Sequence, residues 1–191
     1  MKKFILLFIL SLQLVFADVS LPKPNLKDPF LKILSNRKSS RDFDASKQIS
    51  DKTLSDILYA ANGVNRNDGK LVIPTAKDNR NLLVYVIKKD GAYLYENDKN
   101  NLKLITSENL YKFLNKQDFA DNVSAHLLYV AKTNEDVSNM HAGSAYQNVA
   151  NYCAENGIKN VVRAYIEKND LAKALDLPKG YLVIISQAIG Y

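Results

Sequence analysis

The chain has 191 residues, 47% of them apolar, 9% aromatic and 24% charged, with five Pro and seven Gly. This suits one compact domain with a sizeable core and excludes collagen-like, repeat, low-complexity and disordered architectures. The single Cys excludes an intramolecular disulfide, and the formal charge of +6 is interleaved with Asp and Asn rather than gathered into the stripe of a nucleic-acid binder, so no nucleic-acid partner is expected.

Lys2 and Lys3 precede a largely apolar run from Phe4 to Phe16, and Val15 and Ala17 are small enough to mark a cleavage site before Asp18. Residues 1–17 are read as a secretory signal peptide. A run of that length reaches only about 20 Å as a helix, short of the ~30 Å hydrocarbon core, so no stable membrane insertion is expected after cleavage. No cysteine follows to take a lipid. The mature chain is expected to be periplasmic or secreted, and Cys153 is read as a small buried core residue.

Residues 18–29, with Pro22, Pro24 and Pro29, read as an extended arm, and residues 30–191 as the domain. Phe30, Leu31, Ile33 and Leu34 begin a short helix that ends at the polar run from Asn36 to Arg41. Ser50 is a strong N-cap before Leu54, Ile57, Leu58 and Ala61, and Gly63 closes that second helix. Leu82–Val86 and Ala92–Glu96 flank Asp90-Gly91 as a hairpin, and Leu102–Ile105 adds a strand. Glu108–Asn115 reads as helical. Ala125–Ala131 is apolar apart from His126, as a strand covered on both faces would be. The longest helix carries Val137, Met140, Ala145, Val149 and Cys153 to Asn156-Gly157. Val161–Ile166 is a strand, Asp170–Asp176 a helix and Tyr181–Ile189 a last strand. Mixed helices and hairpins define an α+β class.

No nucleophile, paired carboxylate or metal-ligand spacing emerges, so no catalytic side chain and no metal site is nominated. His126 reads as a strand residue satisfied by its neighbours, and Tyr146 and Tyr165 as core aromatics. The informative segment is Arg37-Lys38-Ser39-Ser40-Arg41, three cations and two hydroxyls in five residues. Guanidinium forks, hydroxyls and main-chain N–H groups are the donors a phosphate takes, and a solvated basic loop is the plain alternative.

The spacing Arg37-x-Ser39-x-Arg41 followed by Phe43 resembles the opening motif of the nitroreductase family of flavoproteins. The resemblance continues through most of the chain. Leu54–Arg66 looks like a helix and turn of the family's thiazole-oxidase-like branch. Pro74-Thr75-Ala76, with Asn79 and Asn81, looks like its flavin-contacting loop, with Thr for the usual Ser and Asn for the usual Gln. Gly143–Val149 and Glu155–Ile158 resemble its central helix and exit. Val161-Val162-Arg163-Ala164 resembles the segment that passes over the flavin edge, where relatives often carry Gly at the place of Ala164; the added methyl is expected to crowd the ring or narrow the substrate space.

The resemblance implies a nitroreductase-like fold, a central mostly antiparallel sheet flanked by helices, and a homodimer with FMN at the interface. Arg37, Ser39 and Arg41 would hold the phosphate with Asn79. Pro74, Thr75 and Asn81 would meet the isoalloxazine, from the same or the partner subunit, and Val162, Arg163 and Ala164 would bound its other face. The implied activity is two-electron transfer through flavin N5 to a small organic substrate such as a nitro-aromatic or a quinone. The lack of the basic tail that many relatives carry predicts weaker FMN retention. Export sets NADH and NADPH aside as donors, which leaves another reduced donor, operation as a dehydrogenase, or a non-catalytic flavin- or ligand-binding protein.

Overall fold

The computed structural model describes residues 18–132 and 136–191. The expected signal peptide, residues 1–17, lies outside the described residues. Strands β1 (Leu83–Lys88), β2 (Gly91–Glu96), β3 (Asn101–Thr106), β4 (Ala125–Lys132), β5 (Lys159–Arg163) and β6 (Tyr181–Gly190) form one sheet in the order β3-β2-β1-β4-β6-β5. All of these pairings are antiparallel. Helices α1 (Pro29–Asn36), α2 (Asp51–Asn62), α3 (Asp136–Glu155) and α4 (Lys168–Ala174) flank it. This is an α+β architecture with the antiparallel sheet and flanking helices that the resemblance implies.

Side-chain alternation along the central strands builds a core on each face of the sheet. Val84 and Val86 of β1 and Leu127, Tyr129 and Ala131 of β4 pack with Leu54, Ile57 and Leu58 of α2 and Ala145, Val149 and Cys153 of α3. Tyr85, Ile87, Leu128 and Val130 point the other way, onto Leu110, Leu114, Leu171 and Leu175. The unbroken apolar run of β4 follows from this double cover, and each fully buried Leu or Ile contributes roughly 1.5–3 kcal/mol. Cys153 is fully buried, and burial pushes its thiol pKa up to about 12.

Local signals explain the element ends. Asp28 caps α1 by accepting from the Leu31 N–H, and Pro29 is the first helical residue rather than the end of the arm, because a proline there gives up an N–H the helix does not use. Ser50 caps α2 through the Thr53 N–H. Gly157, at φ +65°, ends α3, with the Ile158 N–H donating to the Cys153 carbonyl at 2.9 Å. Two expectations need correction. The helix expected over Glu108–Asn115 is only a 3-10 turn, Leu110–Phe113, capped by Asn109. The strand expected to reach Ile166 ends at Arg163, where the chain turns through an Ile166 N–H to Ala164 carbonyl bond of 3.0 Å. Tyr165 therefore swings out of the core: it is 63% exposed, with the Lys116 ammonium 5.2 Å from its ring centroid. Tyr146 is half-buried, edge-on to Tyr129.

Candidate functional site

The segment between α1 and α2 is fixed to the edge strand β5 by the Ser40 N–H, which donates to the Asn160 carbonyl at 2.9 Å. Arg37 is half-buried, while Ser39 and Arg41 are exposed. Among the described residues neither Arg37 nor Arg41 has an acid within ion-pair distance; the nearby Asp42 pairs instead with Lys159 at 3.5 Å. Two guanidinium groups and a hydroxyl thus stand on one short extended stretch with no carboxylate to neutralise them. That donor set fits a phosphate monoester.

Beneath this segment lies a third cation. Arg163 is 4% exposed. It donates to Gln117 Oε1 at 3.1 Å and to the Leu114 carbonyl, and its Cζ sits 5.1 Å from the Phe119 ring centroid. Arg41 lies 5.9 Å from the same ring, which also stacks on Phe43. Burial lowers the Arg163 pKa and the neighbouring charge of Arg41 adds to that effect. Its Nη1 points at His126 Nδ1 across 3.5 Å, while His126 Nε2 lies 3.0 Å from the Ala120 carbonyl. Since a carbonyl only accepts, Nε2 carries the proton and Nδ1 is bare. His126 is completely buried and neutral, its pKa pushed down to about 3 by burial first and then by the Arg163 charge. Val162 is half-buried and Ala164 exposed, at the end of β5.

The other sequence-predicted residues form a separate structure. Lys77 and Asp78 both adopt left-handed conformations, at φ 53° and 56°, which cost non-glycine residues about 1–2 kcal/mol each. The turn is held by Arg80, which grips Asp78 with two bonds of 2.8 and 2.9 Å and reaches the Gly69 carbonyl at 2.7 Å. The Asp78 N–H donates to the Thr75 carbonyl and the Asn79 N–H to that of Ala76. Pro74 is exposed, and Thr75 and Asn79 are half-buried. Asn81 is buried, its amide bonded to His141 Nδ1 at 3.2 Å and to Ser138 Oγ at 3.1 Å. The Ala76 N–H donates to His141 Nε2 at 3.2 Å. Pro74, Thr75 and Ala76 share a pocket of about 210 Å³ with Val137, Met140, His141 and Ser144 of α3. His141 and Ser138 were not singled out from the sequence as part of this loop, and no local pattern marks them, because the partners lie 57 to 65 residues apart.

The two groups do not meet within one chain. The first is anchored at Asn160, level with Ala125 at one end of β4 through the Ile189 pairing. The second is anchored through Ser138 to the Lys132 carbonyl at the other end of β4. Strand rise makes that separation on the order of 20 Å. Among the described residues, no group of His, Cys, Asp and Glu is arranged to hold a metal ion, and no helix is long and apolar enough to cross a membrane.

This sheet order, with α2 and α3 on one face and a basic segment along the edge strand, is an antiparallel α+β architecture. The nitroreductase family profile matches residues 34–191, and the chain belongs to that family of oxidoreductases. It is similar to a putative nitroreductase from Ralstonia eutropha, at 31% identity over 89% of this chain and 87% of that one, with a TM-score of 0.78. The fold is also shared with the E. coli microcin synthetase McbBCD complex with truncated pro-MccB17 bound, at 17% identity over 100% of this chain and 84% of that one (TM-score 0.67). The same holds for the NADPH:FMN oxidoreductase from Vibrio harveyi complexed with NAD+, at 14% identity over 85% and 68% (TM-score 0.63). Among curated proteins none matches the chain.

Proposed function

We propose that this oxidoreductase depends on FMN and acts as a homodimer in which the Arg37–Arg41 segment of one subunit and the Pro74–Asn81 loop of the other share one flavin. The observation that carries the reading is the pair of guanidinium groups, without an acid partner among the described residues, that flank an exposed Ser39 hydroxyl. The separation of the two groups supports the dimer, since a single flavin is too short to span the sheet from one to the other. A bound FMN supplies two-electron, hydride-type transfer through its N5.

The chain's own residues bind and orient. Arg37, Arg41 and Ser39 grip the phosphate, with Asn79 assisting. Pro74 and Thr75 meet the isoalloxazine edge, and the buried Asn81 holds their loop from behind. The main chain of Val162 and Ala164 would bound the other face, with the buried Arg163 supplying positive potential beneath it. The pocket beside Pro74, lined by Val137 and Met140, is sized for one ring of a small organic substrate such as a nitro-aromatic or a quinone. No side chain serves as nucleophile or acid. The protein works in the periplasm or outside the cell, drawing electrons from a donor other than NADH or NADPH.

The test is an absorbance spectrum of the purified protein after incubation with FMN and desalting. Flavin bands that survive desalting, bleach with dithionite and return with a small quinone are the expected outcome. A protein that emerges colourless and whose addition leaves free FMN fluorescence unchanged would falsify the reading.

A further inference from the structure

His141 belongs to no expected role, yet it sits, itself buried, at the centre of a hydrogen-bond chain that reaches the loop proposed to meet the flavin. The chain runs from the Ala76 N–H to His141 Nε2 (3.2 Å), from Nδ1 to Asn81 Oδ1 (3.2 Å), from Asn81 Nδ2 to Ser138 Oγ (3.1 Å) and from that hydroxyl to the Lys132 carbonyl (2.9 Å). Both ends are main-chain groups whose polarity cannot change: an amide N–H only donates and a carbonyl only accepts. Every direction between them is therefore fixed. Ser138 must give its proton to Lys132 and accept from the Asn81 amide, so Asn81 turns its oxygen to His141. His141 then carries its proton on Nδ1 and leaves Nε2 bare for Ala76.

We infer that His141 is a positioning residue for the proposed flavin site, acting through this single neutral tautomer to hold Ala76, and with it Pro74 and Thr75, in the place where they meet the ring. The inference rests on the reading that this loop contacts FMN. Its particular content is that the acceptor at Nε2, rather than the bulk of the imidazole, sets the loop. The left-handed Lys77 and Asp78 make that anchor necessary, because a turn that stores strain relaxes unless both its flanks are tied. Arg80 ties one flank and His141 the other.

Two isosteric variants separate the nitrogen positions. His141→Gln places an amide oxygen where Nε2 stood, and His141→Asn keeps a donor near Nδ1 but has nothing to receive the Ala76 N–H. The expected result is that His141→Asn weakens FMN binding about tenfold, the scale of one main-chain hydrogen bond left unmade, while His141→Gln stays within about threefold of wild type. Fluorescence titration of free FMN reads both. In the flavin-free protein labelled with 15N-histidine, His141 is expected to show a protonated Nδ1 and a bare Nε2, and the Ala76 amide to exchange slowly. Wild-type affinity in His141→Asn, an equal loss in both variants, or a protonated Nε2 each overturns the inference. If wild type takes up no FMN, the function proposed above fails, while the tautomer and the Ala76 exchange still decide whether His141 holds the loop. The same two measurements stand if His141→Asn does not fold.

Discussion

The two ends of the sheet carry the same family's motifs but are built on opposite principles. At the β5 edge, Arg37 and Arg41 have no acid partner among the described residues, and the surface stands on a buried cation, Arg163, and a buried neutral histidine, His126. At the far end, the Pro74–Asn81 loop has its strain and its polar groups tied down by Arg80, His141, Asn81 and Ser138. The first end is under-neutralised and gains from an incoming anion. The second is nearly self-sufficient and offers shape. An anion site needs uncompensated charge, which costs stability when empty, whereas a wall for an apolar ring needs a fixed backbone, whose cost here is the strain at Lys77 and Asp78.

The contrast is sharpest when charge is removed. Arg37→Ala and Arg41→Ala each delete a charge-assisted bond worth about 1.5–3 kcal/mol, so each should weaken FMN binding by roughly tenfold to a hundredfold, and the double variant by more. Because among the described residues neither Arg37 nor Arg41 is ion-paired, the melting temperature of the flavin-free protein should change little, loss of the Arg41 contact with the Phe119 ring being offset by relief of the repulsion on Arg163. Unchanged FMN affinity in the double variant would remove the anion end from the argument and leave Arg37–Arg41 as a solvated loop.

How much of this was legible in the sequence depended on how far apart the interacting residues lie. The helix α2 announced itself because its cap, Ser50, and its apolar period are local. The β1-β2 hairpin did so because Gly91, at φ +150°, permits a backbone that the register Lys88 to Gly91 requires. The phosphate-type segment was legible for the same reason, being five consecutive residues. The interior support was not. Nothing in Val161-Val162-Arg163 says that the arginine side chain turns inward to Gln117 and Leu114, because a strand pattern fixes alternation but not which face is covered. Tyr165 was misread because apolar residues continue past the point where β5 leaves the sheet, and His141 was passed over because its partner Ala76 is 65 residues away.

The buried support at the β5 end also has a pH signature. His126 titrates near 6.5 in an unfolded chain and near 3 when folded. Between those values the unfolded state holds the extra proton, so stability is full above about pH 6.5 and declines as the pH falls toward 3. From pH 7 to pH 5 the loss assignable to this residue is about 2 kcal/mol. Urea unfolding at the two values should show it in the wild type, and His126→Gln, which keeps a donor for the Ala120 carbonyl and cannot charge, should lose less than half as much. Equal pH dependence in both proteins would mean that the support at this end is not electrostatic in origin.

The smallest effect is the one that decides whether the two ends work together. If one flavin is shared between the anion end of one subunit and the loop of the other, damage to the two ends can complement. Arg41→Ala leaves its own loop intact, and a loop variant such as Asn81→Leu leaves its own Arg41 intact. In each homodimer both sites carry a damaged part. In a mixed dimer one site inherits both damaged parts and the other inherits neither, so flavin content should recover to half of wild type. Co-expression with two affinity tags and a flavin-to-protein ratio measures this directly. A mixed dimer with no more flavin than the parents would mean that each chain holds its cofactor alone, and the on-the-order-of 20 Å between Asn160 and Lys132 would then have to be closed by a movement of the loop within one subunit. The rigid ties at Arg80 and His141 argue against that movement, which is why half-recovery is the expected result.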